Sequence, residues 1–190
     1  KAAALREQLT SISSTPADRR DLAKTYIRLS STLKITGDYS SALGYDRKAL
    51  AIHQELYSRN PLDTGARRQL LDSHNGLGGT LFHIGEWKGV LEHRQQALAL
   101  ARQIMAAPDP SAQDYRAYAL AALRMGSIYR RNKQIDLALR HYQEALDATL
   151  QGQKAFPLAP QLRLTQATIL NAIGRIRLDQ GRFADALAQY

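Results

Sequence analysis

Five histidines, His53, His74, His83, His93 and His141, are the side chains of this chain best suited to hold a metal ion or move a proton near neutral pH. Zinc enzymes commonly set two histidines four apart on one helix, as in an HExxH segment, and no two here have that spacing. There is no cysteine, so neither a thiolate metal site nor a disulfide framework can be built. The segment from Asn75 to Thr80 holds three glycines, as a phosphate cradle would, but no strand precedes it to make a nucleotide fold. Serine, histidine and aspartate occur without a GxSxG turn or any spacing that places a nucleophile beside a base and its orienter. The residues therefore support no catalytic role, no metal and no cofactor.

Charge remains. A formal net charge of +9 draws acidic partners and nucleic acid alike. The excess is spread along the chain, cations and anions balance over residues 62–109, and no Lys/Arg run exceeds three. Such a distribution serves solubility more readily than a nucleic-acid stripe, so nucleic-acid binding is the alternative to a protein partner. The longest apolar run, Ala117 to Leu123, is far short of the roughly 20 residues that span a bilayer. The lack of cysteine fits a reducing, cytoplasmic compartment.

The elements that must position these side chains are legible in a period of 48 residues. Gly37, Gly85, Lys133 and Gly181 stand on that spacing, each followed two residues later by a bulky hydrophobe: Tyr39, Trp87, Ile135 and Phe183. Then come Ala42, Val90, Ala138 and Ala186, each followed by leucine. Ala49, Ala97 and Ala145 recur further on, and prolines close each unit. Before the turn, Leu29, Leu77, Met125 and Ile173 align, each followed by a small residue, Ser30, Gly78, Gly126 or Gly174. Apolar residues at three-to-four spacing mark one face of a helix, and proline blocks continuation of the second helix of each pair. The spacing predicts all-α helical hairpins, with the small residues allowing the paired helices close approach. The post-turn ring of Trp87 is expected in the core. Glycines at 76 and 79 have no packing role in this reading and weaken their helix.

With leucine and a small residue in the first helix, an aromatic after the turn and alanines in the second, the pattern resembles the tetratricopeptide repeat family over essentially the whole chain. The resemblance implies a right-handed α-α superhelix. The usual repeat has 34 residues, and the longer period looks like that of extended-repeat variants, one group of which stands in bacteria downstream of serine/threonine kinase domains. No kinase motif occurs in this chain. The units would be 16–61, 62–109 and 110–157, with residues 1–15 ending a preceding repeat and 158–190 opening a truncated one. Open ends of that kind would allow a homodimer.

The resemblance also implies a binding scaffold whose groove is lined by the first helices. The groove-facing residues would be Lys24, Ile27, Arg28, Ser31 and Lys34 in one repeat, and Asp72, Asn75, Gly79 and His83 in the next. Leu120, Leu123, Arg124, Ser127 and Arg131 would follow, then Thr168, Asn171, Arg175 and Leu178. Lys24 and Arg28 match the basic half of the clamp by which some relatives hold an acidic peptide end, while Ile27 and Ser31 stand where the asparagine half would be. Asn75 and Asn171 match asparagines that bond a peptide backbone, which an amide can do with donor and acceptor together. The partner expected is a protein or peptide with negative charge, held as part of a larger bacterial regulatory protein.

Overall fold

The computed structural model describes residues 15–181, and every regular element among them is a helix. Helices α1 (Pro16–Ile35), α2 (Tyr39–Arg59), α3 (Thr64–Ile84), α4 (Trp87–Met105), α5 (Ala112–Arg131), α6 (Ile135–Ala155) and α7 (Pro160–Asp179) follow one another in chain order. Two compact units divide the chain, one ending at Leu100 and the other starting at Ala101. In the first, α2 packs on both α1 and α3; in the second, α6 packs on α5 and α7, and α5 also meets α7. Residues 1–14 of the expected opening partial repeat and 182–190 of the closing one, Phe183, Ala186 and Leu187 included, lie outside the described residues.

The 48-residue register governs the helix ends as well as the faces. Thr15, Asp63, Ser111 and Ala159 are the N-caps of α1, α3, α5 and α7. Thr15 and Ser111 each form a capping box with the aspartate three residues on, Asp18 and Asp114, so two orphan amides are satisfied reciprocally. Asp63 accepts from the amides of Gly65 and Ala66 at 2.8 and 3.2 Å. At the other end of the same helices, Gly37, Gly85 and Gly181 adopt left-handed backbone with φ of 81°, 87° and 73°. Lys133 takes the same conformation at φ 59° although it carries a side chain, which is costly for a residue other than glycine. One residue beyond each of the first three turns, the amides of Asp38, Glu86 and Gln134 reach back to the carbonyls of Leu33, Leu81 and Tyr129 at 2.9, 3.0 and 2.9 Å. This is the helix-ending bond that a left-handed residue makes possible.

The alanine register fills the narrowest space between paired helices. Ala42, Val90 and Ala138 are at most 1% exposed, as are Ala49, Ala97 and Ala145. Trp87 differs from its expected place. It is 37% exposed and meets Phe82 edge-on, with ring centroids 5.2 Å apart, because the residue after the turn sits on the rim rather than between the helices. The small-residue register is buried throughout, but not for one reason. A Cβ at Gly126 would strike the ring of Tyr142 and lie 3.0 Å from the Ala138 carbonyl oxygen, whereas one at Gly78 would rest at an ordinary 3.5 Å from Arg94 and His93. Close approach therefore demands glycine in the third hairpin and merely accommodates it in the second.

That contrast gives opposite signs for two substitutions. Gly126→Leu will destabilise by about 1–3 kcal/mol through overpacking. Gly78→Ala will stabilise by about 0.5–1 kcal/mol, because an open helix position gains from losing glycine. Thermal midpoints of the two variants moving in the same direction would contradict the packing described.

Candidate functional site

In the first unit the expected groove residues are largely engaged by their own neighbours. Lys24 pairs with Asp21 at 3.0 Å. The Lys34 ammonium turns to Asp46 at 2.8 Å and to the carbonyl of Gly76 at 3.4 Å. Asp46 is only 6% exposed, and it also accepts from Ser30 Oγ at 2.6 Å and from the hydroxyl of Thr80, so three helices meet on one buried carboxylate. Asn75 Oδ1 accepts from Arg94 Nη1 at 2.9 Å. Gly79 lies along the same side chain, with its Cβ position 3.9 Å from Arg94 Nη2. Ser31 Oγ donates to the Ile27 carbonyl at 2.8 Å. His83 stacks on Tyr39, centroids 4.4 Å apart and planes 12° from parallel. Ile27 and Arg28 are exposed.

The second unit is built differently. Leu123, Ser127 and Arg130 of α5, Tyr142 of α6, and Thr168, Asn171, Ala172 and Arg175 of α7 line a cleft of about 210 Å³. Leu123, Asn171 and Arg175 thus come together as the repeat register implied. Arg124 lies half-buried and Arg131 exposed elsewhere on α5. Tyr142 forms the floor, 1% exposed, with its hydroxyl 3.3 Å from Ser127 Oγ. The hydroxyls of Ser127 and Thr168 donate to the carbonyls of Leu123 and Leu164 at 3.0 and 2.9 Å. Cationic donors therefore dominate what the cleft offers a ligand. Arg130 has Asp179 at a loose 3.8 Å, and Arg175, exposed, has no ion pair among the described residues.

Arg130 and Tyr142 were not foreseen from the sequence. Tyr142 stands 48 residues beyond Arg94 and 96 beyond Asp46, a register at which side-chain chemistry changes from acid to base to phenol. That change was the available signal, and it is masked by the uniform small residues opposite. Arg130 sits one position before the expected Arg131 because α5 presents to the cleft the residue three after Ser127.

Antiparallel helical hairpins on a strict repeat, without a cluster of three or more metal-ligating side chains among the described residues, define a helical-repeat protein. Residues 22–63 match the tetratricopeptide repeat family, and the hairpins have the tetratricopeptide-like solenoid fold. The apo form of RapI superimposes with a TM-score of 0.72 at 15% identity, covering 99% of this chain and 59% of RapI. BtubC (BKLC) from P. vanneervenii gives 0.69 at 17% identity, over 98% of this chain and 67% of its own. At such identities the likeness is one of fold. This chain spans 59% of the RapI chain's length. No curated protein matches it. Repeats of this class mediate protein–protein interaction and are typically non-catalytic. No helix among the described residues is long and apolar enough to cross a membrane.

The histidines are structural in their contacts. His141 stacks on Tyr129 with planes 2° apart and bonds Glu144 Oε2 at 3.0 Å. His53 bonds Ser73 Oγ at 2.6 Å and is 3% exposed; His74 Nδ1 lies 3.0 Å from His93 Nδ1, so one ring must be unprotonated there. Burial pushes His53 from 6.5 down to about 4, overriding a bond to the Gln69 backbone that acts the other way. Burial does the same to His74, also to about 4, helped by His93. Since both folded values lie below 6.5, the unfolded chain takes up protons first as pH falls. The stability involved is complete above pH 6.5 and is lost progressively toward pH 4. The thermal midpoint will therefore drop between pH 6.5 and 5, and a His53→Gln, His74→Gln variant will show a shallower drop; identical slopes would show these rings do not control it.

Proposed function

We propose that this chain is a non-catalytic protein-binding scaffold that holds an acidic segment of a partner, with the cleft between α5, α6 and α7 as its anchor. The observation that carries this reading is the exposed, unpaired Arg175 beside Arg130 and Asn171 over an otherwise satisfied wall. With Asp179 near Arg130, the cleft is left about one charge positive, which suits a single carboxylate. Arg175 would take that group in a two-pronged bond, Asn171 would bond the peptide backbone, and Leu123 would meet an apolar neighbour. In the first unit, Arg28 with Ile27 provides a separate, weaker anchor, because Lys24 and Lys34 are already paired. Arg124, Arg131, Ser31, Asn75 and His83 lie outside these anchors.

The resemblance of the 48-residue period to extended repeats supports placing the scaffold in a larger cytoplasmic regulatory protein of bacteria, of the kind that carries such repeats beside a serine/threonine kinase domain. Within that reading, pairing of two copies is a property of the array rather than of the cleft. A fluorescein-labelled glutamate-rich peptide will bind the chain, and Arg175→Glu will weaken it about tenfold or more, since a like charge replaces the pairing one. Lys24→Glu will change it little. Equal losses from both substitutions, or tighter binding of an RNA oligomer than of the peptide, would refute the cleft as anchor.

A further inference from the structure

Four rings meet in succession along the turn side of the first unit. Tyr39 stacks on His83, His83 meets Phe82 edge-on at 5.7 Å, and Phe82 meets Trp87 at 5.2 Å. They come from the start of α2, the end of α3 and the start of α4, so the chain of rings runs from the first hairpin to the second. It faces water: Phe82 is 50% exposed, Trp87 37%, and the adjoining Ile84 38%. Burying a ring against its neighbours normally gains from removing it from water, and these rings forgo much of that gain.

The repeat does not require them. At the registers of Phe82, His83 and Trp87, the third hairpin has Arg130, Arg131 and Ile135, and it closes with the same left-handed turn and the same returning backbone bond. The residue just before each post-turn ring is acidic, while in the third hairpin the acid, Asp136, follows Ile135 instead. Asp38 precedes Tyr39 and Glu86 precedes Trp87, both exposed, whereas Gln134 precedes Ile135. The Lys34 ammonium is held by Asp46, and Lys88, exposed on the first turn of α4, is outnumbered by the two carboxylates. On a chain of net charge +9, the edge is thus a local acidic and aromatic patch.

We propose that this edge, formed by Tyr39, Phe82, His83 and Trp87 with Asp38 and Glu86, docks an arginine-bearing segment of a partner protein. A guanidinium suits it better than an ammonium. It is planar and weakly hydrated, stacks on ring faces and pairs with carboxylates by two parallel bonds. The edge would reject the acidic segments that the Arg175 cleft accepts, so the two surfaces address different stretches of a partner. No residue is shared between them.

Trp87 is the only tryptophan of the chain, so its emission reports the edge directly. Titrating the 190-residue chain with an acetylated peptide of alternating arginine and serine should give a saturable change in that emission, and the glutamate counterpart should give none. An Asp38→Asn, Glu86→Gln variant, in which asparagine still caps α2, should bind about tenfold more weakly with unchanged helical circular dichroism. Phe82→Ala should weaken it too. The proposal is overturned by no saturable response, by equal affinity in the charge-neutralised variant, by a lysine peptide binding as well as the arginine one, or by oligouridylate producing the stronger response.

Discussion

In each hairpin a side chain from the second helix lies against the small residue of the first: Asp46 against Ser30, Arg94 against Gly78, Tyr142 against Gly126. The distance between the helices, the depth of the surface above them and the polarity of its floor all follow from that contact. Where the opposing group is a carboxylate, Ser30 supplies a hydroxyl to satisfy it, since a buried charge without partners is far too costly to retain. Where it is a phenyl ring, nothing larger than glycine can stand opposite. A repeat that looks uniform along its small residues is thus varied on the other side of the contact, and that side determines how each surface differs.

The two units diverge accordingly. Asp46 draws Lys34, Ser30 and Thr80 inward, and Arg94 occupies Asn75, so polar groups that could have met a ligand bind one another instead. Tyr142 makes one long hydrogen bond and carries no charge, so it attracts no cation from the neighbouring helices. Arg130 and Arg175 are left over a neutral floor. Charge available to a partner depends less on how many cations a helix face carries than on whether a buried anion has already claimed them.

The turns show a similar division between what the fold needs and what is free to vary. A left-handed residue followed by a returning amide bond ends the first helix of each of the first three hairpins, and even Lys133 is held in that conformation, the bond and the packing of the following helix outweighing its local strain. The position two residues after the turn need only be bulky; whether it is buried is decided by its neighbours. In the first unit it joins a run of rings open to water.

Helix type, hairpin order, turn positions and the buried alanine register were determined by the sequence alone, because each depends on local backbone preference or on a period that a helix repeats every few residues. Even the N-caps at Thr15, Asp63 and Ser111 obey the same spacing, and only the absence of a shared residue type concealed them. The groove stripe was readable as a set of helix faces, and Leu123, Asn171 and Arg175 do meet. Only the tertiary structure decided which cations remain available. Lys24 and Arg175 look alike in sequence, each with an aspartate about one helical turn away, but Lys24 pairs with Asp21 at 3.0 Å whereas Asp179 lies toward Arg130. Pairing is a matter of a few ångströms between side chains, often from different helices, as with Asp46 and Lys34, and a one-residue change in which side chain faces the cleft exchanges Arg131 for Arg130. Periodicity specifies faces; it does not specify which atoms across a helix contact come close enough to bind.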